Sequence, residues 1–212
     1  MAAASLNNMT VPVAAAGSDA SSPTQGLLMP KLQYRFRVLF SGIGASDTTT
    51  ELTKQVIDIA RPSVTFPEIP LEVYNSRIYL AGKAEWQTIA LNVRDDVSGE
   101  VTRIVGNQIQ KQMDFMEQAS AASGVDYKFT TIIEILDGGN GVETPGILEV
   151  WELYGCFIQN ANYNNLNYGT NEPVTIAITM RFDNAMQANT DTGGPDYGVG
   201  AAVGRTIGNN VN

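Results

Sequence analysis

Two long stretches of this 212-residue chain alternate strictly between apolar and polar residues. In the stretch from 174 to 182 the apolar positions are Val174, Ile176, Ile178, Met180 and Phe182. The stretch from 32 to 40 has the same period. Because successive side chains of a β-strand point to opposite faces, this period predicts strands with one buried face. Four further segments, at 52–60, 86–93, 127–136 and 148–158, complete a predicted set of six or more antiparallel strands.

One segment, from 97 to 119, has the period of a helix. Asp95, Asp96 and Ser98 precede it or lie in its first turn, where they are expected to cap it. At about 100° per residue its apolar residues form a single stripe, and we expect its members Val101, Ile104, Val105, Phe115 and Met116 to lie in the core. The members of this stripe are Val97, Val101, Ile104, Val105, Ile109, Phe115 and Met116. One helix on a strand-rich body predicts a mainly β, α+β fold of the small barrel or sandwich type.

Residues 61–82 have a different character, because prolines interrupt a series of apolar residues. Proline is excluded from central strands, so the segment is predicted to form an extended arm with exposed apolar side chains. Such an arm promotes aggregation of a monomer, and we therefore expect it to contact another subunit. The candidate contact residues of the arm are Arg61, Pro62, Phe66, Pro67, Ile69, Pro70, Tyr74 and Arg77.

Four polar residues are candidates for contacts between subunits. Arg35 and Arg37 lie on the polar face of the first predicted strand, where an ion pair with an acidic neighbouring subunit is expected. Gln108 and Gln112 fall inside the apolar helix stripe, so their amides are expected to meet either backbone or a neighbouring chain.

The two ends of the chain differ in composition from the body. Residues 1–28 contain one charged residue, Asp19, and residues 185–212 are rich in glycine and poor in charge. We interpret them as extensions flanking a body at 29–184. Segments of this composition bury too little to fold alone, so we expect them to become ordered only against neighbouring subunits. The N-terminal segment lacks the basic residues of a signal peptide, and a cytoplasmic product is expected.

Composition excludes several classes of function. The chain has no histidine, one cysteine and a net charge of −9. The absence of histidine removes the commonest general base and metal ligand, and a lone Cys156 excludes an intrachain disulfide or a thiolate cluster. No cluster of basic residues suits nucleic acid. The low charged fraction of 17% indicates extensive subunit contacts or a polar, uncharged secreted chain.

The acidic residues do not indicate a catalytic or metal site. Asp95, Asp96 and Glu100 fit helix capping better than metal binding, and the segment at 137–141 fits a hairpin turn better than a calcium loop. Glu149 and Glu152 lie three apart on a predicted strand and hence on opposite faces. We therefore predict no enzyme activity, no cofactor and no metal.

Five stretches, taken in order, resemble the tail tube proteins of contractile-tailed bacteriophages. These are residues 29–38, 60–82, 86–95 with the following helix, 154–160 and 166–174. The resemblance covers residues 28–184. The chain departs from the family's pattern at Ile158, where proline is usual, which puts the turn after that strand in question.

The resemblance implies a small β-barrel with one flanking helix. It also implies homohexameric rings that stack into a tube inside a contractile sheath, through which duplex DNA passes without specific binding. The implied partners are further copies of the chain and the tail sheath, baseplate, tape-measure and tail terminator proteins. The implied location is the virion tail, assembled in the bacterial cytoplasm without membrane insertion.

Two alternatives stay open at this point. A type VI secretion or tailocin tube shares the expected fold. A monomeric β-sandwich binding module or adhesin is an alternative of another class, with Trp86 and Trp151 as candidates for stacking on sugars. The proline-broken arm favours the assembling subunit over the binding module.

Overall fold

A computed structural model describes residues 31–44, 50–137, 146–189 and 196–197. The chain divides into two compact units, Met1–Arg35 and Phe36–Asn212. In the described part of the first unit, the backbone N–H of Arg35 donates to the carbonyl of Leu32 at 3.2 Å. The Arg35 guanidinium lies 5.5 Å from the centre of the Tyr34 ring. The predicted N-terminal extension lies outside the described residues.

The second unit is mainly β. Its described strands are β1 (Phe36–Ser41), β2 (Val56–Ile59), β3 (Val64–Thr65), β4 (Glu68–Val73), β5 (Ser76–Ala81), β6 (Glu85–Trp86), β7 (Ile89–Arg94), β8 (Met113–Asp114), β9 (Ala119–Ser120), β10 (Phe129–Leu136), β11 (Ile147–Asn162), β12 (Thr175–Arg181), β13 (Asn184–Asn189) and β14 (Asp196–Tyr197). Its described helices are α1 (Thr50–Lys54), α2 (Glu100–Gln112) and α3 (Gly124–Tyr127). The predicted mainly β fold with antiparallel strands is confirmed.

The long strand β11 organises the eight-stranded sheet, in which six strands follow the order β1-β10-β11-β12-β7-β2 and the other two branch off, with β13 paired to β11 and β14 to β13. Its first part pairs with β10 on one side and β13 on the other. Its second part, from Phe157 to Asn162, pairs with β12. At Gly155 the backbone adopts φ 67°, a left-handed value at the point where the pairing changes. We call β1, β10, the first part of β11 and β13 the first layer, and the second part of β11 with β12, β7 and β2 the second layer.

The core contains most of the residues that the period-two pattern placed inside, whereas Tyr34 and Val174 precede β1 and β12 and are exposed. Ile176, Ile178 and Met180 of β12 are buried, and so are Ile89 and Leu91 of the neighbouring β7. The predicted strand at 52–60 is shorter than expected, because helix α1 occupies its first half and directs Leu52 into the core. The predicted strand at 32–40 likewise begins only at Phe36.

Helix α2 is shorter than the sequence pattern predicted. Val101, Ile104 and Val105 are buried as expected, but Phe115 is 62% exposed and Met116 is 91% exposed. Val97 precedes the helix and is exposed as well. The prediction that Phe115 and Met116 belong to the core was therefore wrong.

A local turn ends the helix early. The chain becomes extended at Met113, and β8 then pairs with β9 across a tight turn. Within the turn, Oδ1 of Asp114 accepts hydrogen bonds from the backbone N–H groups of Met116, at 2.8 Å, and Glu117, at 3.3 Å. Side-chain bonds of this kind compete with helical ones, and here they prevail.

The remaining connections follow the predicted order. Strands β10 and β11 are antiparallel neighbours, and Asp137 exchanges hydrogen bonds with Gly146 where the two strands end. The turn residues between them lie outside the described residues. Strand β13 extends past the predicted end of the body at 184 and pairs with β11. The predicted C-terminal extension otherwise lies mostly outside the described residues.

Candidate assembly surface

The predicted arm is a two-stranded hairpin. Strands β4 and β5 pair along their whole length, and the short pair β3 and β6 lies between them and the body. Tyr74 occupies the tip with φ 45° and is fully exposed. Pro70 lies inside β4, which is tolerated because each strand of an isolated pair has a free edge.

The two faces of the hairpin differ sharply. Residues opposite each other in an antiparallel pair share a face, and here the register places only apolar residues and Ser76 on one of them. The five apolar residues, which we call the apolar arm face, are Ile69, Leu71, Val73, Ile78 and Leu80. Each of them is between 43% and 50% exposed. The opposite face carries Glu68, Pro70, Glu72, Arg77 and Tyr79.

An ion pair lies on the face of the arm opposite the apolar arm face. Nη2 of Arg77 lies 2.5 Å from Oε1 of Glu72, its partner across the strand pair. Hydrogen bonds from Arg77 to Glu72 and Tyr79 raise the pKa of the guanidinium above its usual range. Since both charges lie in solvent, this pair organises the surface and contributes little to stability.

The base of the arm contacts the body at defined points. Nη2 of Arg61 lies 2.9 Å from Oε1 of Glu149 on β11. On the returning side, the Trp86 ring packs 5.7 Å from the ring of Phe182. The N–H of Gly82 donates to the carbonyl of Pro67 at 2.6 Å, and any side chain at Gly82 would collide with that oxygen. The arm is therefore attached at its base and exposed beyond it.

The predicted arm residues fall into two groups. Arg61 is at the base and engaged with Glu149, and Pro62 next to it is partly exposed. The exposed members of the predicted set are Phe66, Pro67, Ile69, Pro70, Tyr74 and Arg77. The residues predicted from the sequence did not include Leu71, Val73, Ile78 and Leu80. Their period-two spacing on either side of the turn is the signal that defines the apolar arm face.

The predicted polar contacts mostly find partners within the chain. Arg37 forms an ion pair with Glu134, its neighbour on β10, at 2.6 Å. Oε1 of Gln108 accepts from the N–H of Gly44 at 3.0 Å, and its Nε2 donates to the carbonyl of Tyr127 at 2.5 Å. With 0% of its surface exposed, Gln108 does not contact a second subunit, which corrects that expectation.

Gln112 bonds to backbone in the same way as Gln108. Its Nε2 donates to the carbonyl of Ile158 at 2.9 Å, and its Oε1 accepts from the N–H of Ile158 at 3.0 Å. The amide thus bonds to β11 as a neighbouring strand would. The amides of Gln108 and Gln112 were expected to meet either backbone or a neighbouring chain, and in the structure both bond to backbone. Arg35 belongs to the first unit, where it lies over Tyr34.

The described residues offer few reactive groups. Among them, no three His, Cys, Asp or Glu side chains are placed to hold a metal ion. Cys156 is buried, and burial raises the pKa of its thiol. In the part of the chain that the structure describes, no helix is long and apolar enough to cross a membrane.

Comparisons with known proteins place the fold. No protein-family model and no curated protein matches this chain. Several solved structures, however, do match it. The chain matches one in the cryo-EM structure of the anti-feeding prophage cap, which terminates the tube, with a TM-score of 0.60 and 14% identity over 82% of this chain and 99% of that one.

Two structures from the PVC extracellular contractile injection system, both in the extended state, are also similar. The sheath/tube terminator gives a TM-score of 0.53 at 13% identity, covering 76% of this chain and 99% of the other. The sheath-tube complex gives 0.51 at 15% identity, covering 76% and 92%. At these identities the likeness concerns the fold alone. The chain has the fold of chains found in structures of contractile injection systems.

Proposed function

We propose that this chain is a self-assembling structural subunit of the tube in a contractile injection apparatus, with no enzymatic role. The observation that carries the proposal is the apolar arm face, where five side chains stand half exposed on a hairpin that leaves the body. Likeness of fold to structures named for tubes, their terminators and their sheaths supports it.

Energetics favour covering this face. Full burial of a Val, Leu or Ile side chain contributes about 1.5–3 kcal/mol, so five half-exposed ones retain roughly 4–7 kcal/mol that a contact could gain. An isolated two-stranded hairpin is only marginally stable in water. A second copy of the chain that covers the apolar arm face would stabilise both the hairpin and the contact.

The topology of the second layer suits a ring. Its strand order β11-β12-β7-β2 is antiparallel throughout, and the number of strands is even. Copies joined head to tail would therefore continue the antiparallel alternation from one subunit to the next. A ring of about 24 such strands, spaced about 4.8 Å apart and tilted about 40°, closes at a backbone diameter of roughly 48 Å.

In its most specific form, the proposal is the tail tube of a contractile-tailed bacteriophage. Hexameric rings would stack inside the sheath between the baseplate and the tail terminator, around a tape-measure protein. DNA would pass through during genome ejection. The arm, including Phe66, Ile69 and Tyr74, would join one ring to the next. A type VI secretion or tailocin tube would use the same surfaces for another cargo.

Electron microscopy of the purified protein, combined with matched arm variants, tests the proposal. Ile78→Ser with Leu80→Ser removes part of the apolar arm face. Tyr79→Ser with Ala81→Ser alters the opposite face of the same strand and serves as the control. We expect tubes from the wild type and the control, and folded chains that fail to form tubes from the apolar-face variant. Tubes of normal length from the latter would contradict the role of the arm.

A tube-terminating cap is a second candidate. The likeness to the anti-feeding prophage cap, which covers 82% of this chain, favours it. A terminator forms single rings that do not stack and stops the growth of a partner tube, whereas a tube subunit polymerises alone. Micrographs of the wild-type protein distinguish rings from tubes, and light scattering identifies the monomer expected of a binding module.

A further inference from the structure

Glu149 is a buried carboxylate on which three separate parts of the chain converge. It is 4% exposed, and its Oε1 accepts three hydrogen bonds. Nη2 of Arg61 donates at 2.9 Å, Nε1 of Trp151 at 2.6 Å and Nε2 of Gln187 at 2.9 Å. A buried carboxylate is costly unless charge and hydrogen bonds compensate it, and these donors supply both.

The donors come from elements with different roles. Trp151 lies two residues after Glu149 on β11. Gln187 of β13 is the direct cross-strand partner of Trp151. Both are fixed by the sheet, so they hold the carboxylate in one position. Arg61 follows β2 of the second layer and begins the arm. Through its contact with Arg61, Glu149 therefore connects the start of the arm to the first layer.

A small rotation at this point has a large effect at the tip. The paired part of the arm spans six residues per strand, or about 20 Å at about 3.3 Å per residue. A swing of about 10° at the base displaces the far end by about 3.5 Å over that length. The residues of β4 and β5 are exposed throughout, so the direction of the arm is set at its base.

We infer that Glu149 is a positioning residue of the arm, which fixes the direction in which the apolar arm face meets a second copy of the chain. This inference rests on the proposed function. Holding a binding element in its bound orientation lowers the entropy lost on association. Loss of the carboxylate charge therefore weakens assembly, although Glu149 lies outside the surface that a second copy would cover.

A distance measurement on the free subunit tests the inference without relying on assembly. Spin labels at Tyr74→Cys and Val125→Cys report the position of the arm tip relative to the body, since both sites are exposed while Cys156 is buried. The test variant is Glu149→Gln. The matched control is Glu134→Gln, a second buried carboxylate, which pairs with Arg37 of β1 instead of with a residue of the arm.

We expect a narrow distance distribution in the wild type and in Glu134→Gln, and one at least twice as broad in Glu149→Gln. Arg61→Gln provides a second variant, in which Glu149 keeps the hydrogen bonds from Trp151 and Gln187 that hold it in the sheet. It should broaden the distribution in the same way. Equal widths in all four proteins would overturn the inference, whatever the assembly state.

Assembly supplies the second readout. At a temperature where all variants remain folded, the critical concentration for assembly should rise about tenfold for Glu149→Gln and Arg61→Gln, and less than twofold for Glu134→Gln. A broadened distance distribution with an unchanged critical concentration would contradict the link to assembly. If the wild type does not assemble, the proposed function is wrong, and the spin-label distances still test the role of Glu149 in positioning the arm.

Discussion

At the scale of single residues, Gly155 bears the sharpest constraint. It lies at the bend of β11 with φ 67°, and a Cβ at this position would overlap the carboxylate of Asp183. That carboxylate lies 2.6 Å from Nζ of Lys128, and their hydrogen bond raises the pKa of the lysine. Glycine is thus required here for two independent reasons, its backbone conformation and its lack of a side chain.

Gly155→Ala should lower the free energy of unfolding by about 2–4 kcal/mol, because it combines backbone strain with displacement of Asp183. Gly99→Ala is the matched control: Gly99 has φ 66°, but nothing lies within 4 Å of its added Cβ. Strain alone should cost the control about 1–2 kcal/mol. Urea denaturation measures both values, and equal losses would show that Asp183 yields without cost.

The corrected position of Phe115 gives a second prediction. Phe115→Ala should change the free energy of unfolding by less than about 0.5 kcal/mol, since the ring is exposed. Ile104→Ala, from the buried side of α2, should cost about 2–4 kcal/mol. Thermal or urea unfolding of the free subunit checks this contrast. A large loss for Phe115→Ala would restore the residue to the core.

The buried thiol predicts a pH dependence. Burial raises the pKa of Cys156 above its ordinary value of 9.0, so the folded chain keeps its proton where the unfolded chain loses it. The stability linked to this group is complete below pH 9 and declines as the pH rises above it. Between pH 8 and 10, the urea midpoint of Cys156→Ala should therefore fall less than that of the wild type. Identical decline in both proteins would mean that the thiol does not contribute.

At the scale of elements, a side-chain amide of helix α2 supplies hydrogen bonds to the edge of a strand. Gln112 of α2 bonds to both backbone groups of Ile158, so the helix occupies the edge of β11 at that residue. An unpaired strand edge invites pairing with other chains, and this contact covers the edge at Ile158 only, so a neighbouring copy in the proposed ring would pair with β11 beyond that residue.

Gln112→Met should reduce the free energy of unfolding by about 1–3 kcal/mol, because it leaves the N–H and carbonyl of Ile158 without these bonds. Gln110→Met, on the exposed side of the same helix, should remain within about 0.5 kcal/mol of the wild type. Hydrogen exchange should show faster exchange of the Ile158 amide in Gln112→Met only. Unchanged protection at that amide would argue against the contact.

Local patterns predicted the elements whose environment is itself local. The alternation along β12 indicated its buried face, and the prolines among apolar residues indicated an exposed arm. The end of α2 escaped prediction, because apolar periodicity cannot reveal that Asp114 would bond the backbone of Met116. Similarly, nothing near Arg61 in the sequence identifies Glu149, which lies 88 residues away along the chain.

At the scale of the whole molecule, net charge limits what assembled tubes can bind. In the proposed hexamer, six chains of charge −9 would give each ring −54, and six of the twelve described arginines and lysines engage acidic partners or a backbone carbonyl. A surface of this charge repels phosphates. That property suits a conduit, because a polyanion passes without being held.

Assembled tubes should therefore bind duplex DNA only weakly at physiological salt. Co-sedimentation of tubes with labelled DNA between about 50 and 200 mM salt measures this, with free subunits as the control. Retention should be low at both concentrations. Tight binding that falls steeply with salt would indicate a basic inner wall and contradict the expectation.

The shared strand β11 also sets the order of events during synthesis. The arm leaves the ribosome before residues 147–162, which belong to both layers and carry Glu149. At roughly 5–20 residues per second, the interval from Trp86 to Asn162 lasts about 4–15 seconds. During that time Arg61 lacks its partner Glu149, and neither layer is complete. If the proposed function holds, competence to assemble is acquired late in synthesis, and a chain that ends before residue 147 lacks the carboxylate that positions the arm.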